Sequence, residues 1–221
     1  MKSIRIFIES GKKKVFAGAV DWPGWSRSGR DEQAALIRLK EYGLRYAQFM
    51  DRAGIEFHGF PDETEFKVTE RHVGNATTDF GAPSIILNAD REPIGEPEYQ
   101  RLRKMMLTSW LIFDEVVEGA QGRELRTGPR GGGRDLAKML NHVHEAEQMY
   151  LKRLAWKGEK YTVDEMDKTR HDILRAFEIS VHEGLPEKGP RGGAIWKPRY
   201  FVRRVVWHIL DHAWEIEDRI L

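Results

Sequence analysis

Cysteine is absent from the 221 residues. That excludes a disulfide scaffold, a Cys-ligated zinc site and a thiol nucleophile, so any thiol chemistry needs an external low-molecular-weight thiol. An excess of one charge is absent too: 36 Lys and Arg stand against 35 Asp and Glu, a formal +1 at pH 7. The balance holds locally, with 14 basic and 14 acidic residues in 1–95 and 22 and 21 in 96–221. Such a chain has no field with which to recruit nucleic acid or an anionic membrane, and tight nucleic-acid binding is not expected. Long apolar runs are also missing, none approaching the ~18 residues of a membrane-spanning helix. The opening MKSIRIFIESGKKK breaks its apolar run at Arg5 and Glu9. It is too short for the apolar region of a signal peptide and reads as the first strand of a cytoplasmic protein.

Hydrophobic residues make up 40% and charged residues 32% of the chain, a globular composition with enough apolar mass for a sizeable core. The length allows one large domain or two small ones. Composition shifts at Asn88–Pro97, polar and carrying two prolines, which reads as a linker between domains at 1–90 and 97–221. Upstream, Ile4, Ile6 and Ile8 alternate with Arg5 and Phe7, and Val15–Val20 follows a Gly-Lys turn. This is the pattern of a hairpin. Asp21–Gly29 is dense in turn formers, and Asp31 caps one helix with Ala34, Ala35, Leu36, Leu39, Leu44, Ala47 and Phe49 at helical spacing. Phe66–Val73 and Ser84–Leu87 read as further strands. The expected fold is a small antiparallel sheet with a helix.

Downstream the period changes to ~3.6. Helices are expected over about 97–121, 134–156, 162–184 and 198–221, with Thr162-Val163-Asp164-Glu165 as a capping box. Core stripes such as Met105/Trp110/Leu111 and Leu136/Leu140/Val143 imply an all-α four-helix bundle. Gly128-Pro129-Arg130-Gly131-Gly132 before the second helix recurs as Gly189-Pro190-Arg191-Gly192-Gly193 before the fourth. It supplies either a shared loop-to-helix entry shape or an anion pocket, with Arg130 and Arg191 as substrate-binding residues.

Six of the eight histidines fall in the helical half. His208 and His212 are four apart, so they share a helix face one turn apart, a spacing that suits two imidazoles on one metal ion. No Glu follows His208, so the metalloprotease motif is absent. Val205, Val206, Ile209, Leu210 and Ala213 surround the pair. Burying two imidazoles without partners costs free energy that a metal offsets. A third ligand must come from a facing helix. His142 shares a face with Met139, Ala146 and Met149, and His144 with Leu140 and Leu151; the residues alone leave both open, with His171 and His182 as rivals. Asp211, Glu145 and Glu147 are nearby carboxylates by spacing. Trp196, Tyr200, Phe201, Trp207 and Trp214 supply core packing and a wall for an apolar substrate portion.

Leu140-Asn141-His142-Val143-His144-Glu145-Ala146-Glu147 and Trp207-His208-Ile209-Leu210-Asp211-His212 resemble the DinB-like superfamily, which includes YfiT-type metal-dependent hydrolases and thiol-dependent transferases. The resemblance covers about 97–221. It implies a four-helix bundle with a three-His site for nickel, zinc or another divalent ion, and its register, a Glu five residues after the second-helix His, selects His142. Ile4–Glu9, Val15–Val20 and Asp21-Trp22-Pro23-Gly24 through Ala34 are similar to HicB-like antitoxin domains. That resemblance covers about 3–50, and the DNA-binding segment of those antitoxins is replaced here by helices. Together these imply a metal-dependent hydrolase or thiol-dependent transferase acting on a small-molecule substrate. The alternative is a non-catalytic regulatory protein whose HicB-like domain recruits a protein partner or a second copy of the chain.

Overall fold

The computed structural model describes residues 3–57, 65–126, 134–189 and 193–221. The chain divides into two compact units, Met1–Glu92 and Pro93–Leu221, and the division falls inside the polar 88–97 segment.

In the first unit, β1 (Ser3–Ser10) and β2 (Val15–Ala19) pair antiparallel, and Gly11 N donates to Lys14 O at 2.8 Å to close the turn. β3 (Ser26–Gly29) adds a third, antiparallel strand inside the segment read as turn formers. Ser-Arg-Ser-Gly has little strand propensity, and its pairing to β2 rests on the neighbouring Trp25. That side chain is 1% exposed, donates its indole N–H to Leu39 O and stacks on Tyr46. Asp31 caps α1 (Glu32–Glu41), accepting from Ala34 N at 2.8 Å. The single helix expected there is divided at Tyr42 into α1 and α2 (Gly43–Arg52). Leu39 and Phe49 are buried while Leu44 is left exposed.

β4 (Glu65–Val73) corrects the expected antiparallel sheet: it pairs parallel to β1, giving a mixed four-stranded order β3-β2-β1-β4. The reason is topological. β3 runs in the same direction as β1, and two intervening helices return the chain so that β4 enters in that direction as well. A short α3 (Ala76–Phe80) follows. Ser84–Leu87 is not a strand. The carboxylate of Glu9, fully buried on β1, takes the backbone N–H groups of Ser84 and Ile85 at 2.9 and 3.2 Å, so these donors serve a side chain rather than a ladder. Leu87 then packs with Phe7 and Val20 on the second face of the sheet.

The second unit is mostly helical. α4 (Glu96–Ala120), α5 (Leu136–Leu151), α6 (Met166–His182) and α7 (Pro198–Arg219) are its long elements. Pro97 and Pro198 open two of them, where a missing N–H costs nothing. The Thr162–Glu165 capping box forms around a 3-10 turn that leads into α6. α4 packs on α6 and α7, and α5 packs on α6 and α7. Every residue from Arg199 to Leu210 is buried, which makes α7 the central helix of the unit. Leu111, expected in a core stripe, and Met149, on the face of His142, are each 52% exposed. In the α5 stripe Leu136 and Leu140 are half-buried, and Met105, Trp110, Met139 and Val143 carry the core. No helix among the described residues is long and apolar enough to cross a membrane.

Candidate metal centre

The centre is built on α7 and α5. The 3.6-residue period of α7 stacks His208 and His212, and α5 sets His142 opposite them. His208 and His212 are 6% and 7% exposed, and His142 is half-buried. The Nε2 atoms of His142 and His208 lie 3.4 Å apart and those of His208 and His212 lie 3.2 Å apart. One ring nitrogen from each of the three lies within 4.8 Å of the other two. Among the described residues this is the group of His, Cys, Asp and Glu side chains placed to hold a metal ion.

The donor set fits a divalent ion. Nitrogens bound ~2.0–2.1 Å from a tetrahedral ion sit about 3.3 Å from each other, the spacing seen here. Protonation of His142 and His208 is disfavoured. Burial, followed by the charges of His212 and Arg134, lowers His142 to about 4. Burial again leads in pushing His208 well below the ordinary imidazole range, with His212, His142, Arg204 and Arg134 adding to it. Neutral imidazoles whose lone pairs converge repel unless a proton or a cation lies between them. A single shared proton satisfies two nitrogens, whereas a cation satisfies three.

The three rings differ in their outer contacts. His212 Nδ1 meets Glu215 Oε2 at 3.0 Å, and Glu215 Oε1 accepts from Arg219 Nη1 at 2.9 Å. His208 Nδ1 is buried with no hydrogen-bond partner among the described residues. On one side of the centre the Tyr150 ring stands edge-on to His208, 5.7 Å between centroids, and its hydroxyl accepts from Arg204 Nη2 at 3.1 Å. Arg204 also lies over the Trp196 and Trp207 rings. Glu215 and Arg219 were missed in the sequence, although their i, i+3 and i, i+4 spacing from His212 and Glu215 was legible there.

His144 is buried at 3% exposure but turns towards α6, where its Nε2 meets Thr169 Oγ1 at 2.9 Å. Glu147 does not serve the imidazoles. Its Oε1 accepts from the Trp110 indole and lies 3.7 Å from Arg170 Nε, and its Oε2 is buried without a partner among the described residues. His171 is exposed, His182 lies 3.7 Å from Glu96, Glu145 is exposed and Asp211 is half-buried. Arg130 and Arg191, expected as substrate-binding residues, lie outside the described residues, as does most of each repeated Gly-Pro-Arg-Gly-Gly segment. Compared with known proteins, the chain matches no family model, no curated protein and no solved structure.

Proposed function

We propose that His142, His208 and His212 hold one divalent ion, nickel or zinc, and that the helical unit is a DinB/YfiT-type four-helix bundle. Its work is a metal-dependent hydrolysis or a thiol-dependent transfer on a small molecule, carried out in the cytoplasm. The observation that carries this reading is the convergence of three imidazoles from two packed helices, with His208 Nε2 at 3.4 Å from His142 Nε2 and 3.2 Å from His212 Nε2. The packing of α4 and α5 each against both α6 and α7 supports the bundle. Three protein ligands leave a coordination position open, the arrangement of catalytic rather than structural sites. Bound there, the ion supplies Lewis acidity, which acidifies water or an external thiol.

The chain's own part is to bind and orient. His208 and His212 come from adjacent turns of one rigid helix, so their separation is fixed by backbone geometry. Trp196, Tyr150 and Trp207 keep bulk water from that side and present apolar surface to a substrate. Arg204, seated over these rings, brings positive charge near an acidic leaving group or anionic substrate. With no cysteine in the chain, a transferred thiol belongs to a second substrate.

A second reading, a partner-binding protein, draws on the first unit, where Val73 at the end of β4 and Phe80 in α3 are 87% and 73% exposed. Apolar side chains so exposed suit a protein contact. Metal content separates the two. Purified chain should carry or take up one ion, and His142→Ala should lose it while keeping its helical circular dichroism. A well-folded wild-type chain that takes up neither nickel nor zinc would favour the partner-binding reading.

A further inference from the structure

We infer that Glu215 is a positioning residue: braced by Arg219, it fixes His212 as the Nδ1–H tautomer and aims the Nε2 lone pair at the point where the three imidazoles meet. A neutral imidazole carries one proton, and the hydrogen bond at one nitrogen decides which nitrogen keeps the lone pair. His212 Nδ1 lies 3.0 Å from Glu215 Oε2, and a carboxylate only accepts, so the proton sits on Nδ1. The same carboxylate is paired with the Arg219 guanidinium, so both of its oxygens face donors.

Glu215 is braced in turn. Its other oxygen takes Arg219 Nη1 at 2.9 Å. Arg219 spends its remaining donors on main-chain carbonyls: Nε on Arg126 O at 2.8 Å and Nη2 on Arg134 O at 2.9 Å. Arg219 is 5% exposed, so none of these bonds competes freely with water. The carboxylate is therefore located by backbone atoms rather than by another mobile side chain. His208 offers the contrast. Among the described residues its Nδ1 has no partner, and the neighbours that bear on its tautomer are the His142 and His212 rings at Nε2. Of the two buried imidazoles on α7, His212 has an acceptor at Nδ1 and His208 has none among the described residues.

Such outer partners raise ligand basicity and reduce the reorientation a ring must undergo on binding. Removing one costs roughly 10–100-fold in metal affinity. The affinity arm of the test rests on the reading of the three imidazoles as a metal centre; the tautomer arm does not.

The experiment uses the full chain at pH 8, metal-free, with Glu215→Gln, Glu215→Ala and Arg219→Lys beside wild type. Nitrogen-15 histidine spectra report the protonated nitrogen of His212, assigned with His212→Asn. Wild type should show Nδ1–H. Glu215→Gln, whose amide oxygen still accepts, should retain it, and Glu215→Ala should give a mixture or the Nε2–H form. Zinc titration should show affinity falling roughly 10–100-fold in Glu215→Ala, with smaller losses in Glu215→Gln and Arg219→Lys. A wild-type His212 protonated at Nε2, or a tautomer unchanged in Glu215→Ala, overturns the inference whatever the metal does. A wild type that binds no zinc yet shows the expected tautomers would sink the metal reading and leave the positioning intact. Equal zinc affinity in folded wild type and Glu215→Ala would show that Glu215 does not position the ligand. If Glu215→Ala loses its helical spectrum, Arg219→Lys and Glu215→Gln carry the affinity comparison.

Discussion

Each unit buries charged or lone-pair groups, but completes them differently. Glu9 in the first unit is fully buried, and its two oxygens accept from Thr78 Oγ1, the Ser84 hydroxyl and the N–H groups of Ser84 and Ile85. Its hydrogen bonding is closed from within, and its work is to pin the 84–87 segment onto the sheet. The second unit buries His208 and His212 beside His142 and turns their nitrogens on each other. Saturation marks a group that holds the fold, and convergence without saturation marks a group waiting for something from outside. Glu147 stands between these cases, with one oxygen engaged and one unpartnered.

The comparison is most exposed to failure at the imidazoles. His208→Ala should reduce bound metal from one ion per chain to none, measured by elemental analysis after dialysis against nickel or zinc. It should leave the melt of the metal-free chain little changed or improved, because one buried polar ring with an unpartnered nitrogen is gone. Glu9→Ala should do the reverse. It strands the buried Thr78 hydroxyl and two backbone donors, and roughly 3 kcal/mol of stability should be lost while metal uptake by the second unit persists. A Glu9→Ala chain as stable as wild type in urea would contradict a structural role for that carboxylate.

Glu147 sharpens the comparison through pH. Burial, its largest influence, raises this carboxyl from 4.5 to about 7. The folded chain thus keeps a proton that the unfolded chain sheds. The stability this contributes is complete below pH 4.5 and is lost as pH rises towards 7. Glu147→Gln cannot ionise, so relative to wild type it should gain about 2–3 kcal/mol between pH 5 and pH 8 in paired denaturant melts. The sign is opposite for His142. Its pKa falls from 6.5 to about 4, so its contribution is complete above 6.5 and is lost on acidification towards 4. Protons compete with the ion in the folded chain, so metal retention should fall as pH drops towards 4. The smallest effect belongs to His144→Ala. Breaking its bond to Thr169 should cost on the order of 1 kcal/mol and leave metal stoichiometry at the wild-type value. Metal loss in this variant, with His142→Ala still binding, would place the third ligand on the wrong face of α5.

Much of the second unit was legible because its signals are local. Pro97 and Pro198 mark helix starts, Thr162 and Glu165 close a capping box, and the four-residue step from His208 to His212 follows from one helical turn. The first unit was read less well where pairing is remote. β3 is a strand because β2 borders it, and Ser84–Leu87 is not one because Glu9, far away in sequence, takes its donors. Leu136 and Leu140 were expected in the core and are half-buried, since a stripe on α5 does not reveal how wide a face its neighbours cover.

By itself the sequence determined what one element can determine: the hairpin β1–β2, the four long helices and the shared face of His208 and His212. Hydrophobic period, caps and turn residues act over a few positions, and they suffice for that. Tertiary structure decided which histidine of α5 joins the pair, the parallel entry of β4, the engagement of Glu147 with Trp110 and Arg170, and the bracing of Glu215 through Arg219 by the carbonyls of Arg126 and Arg134. Each depends on atoms brought together from distant parts of the chain. Those meetings are set by how whole elements pack, because the free energy of burying a face belongs to both elements that share it.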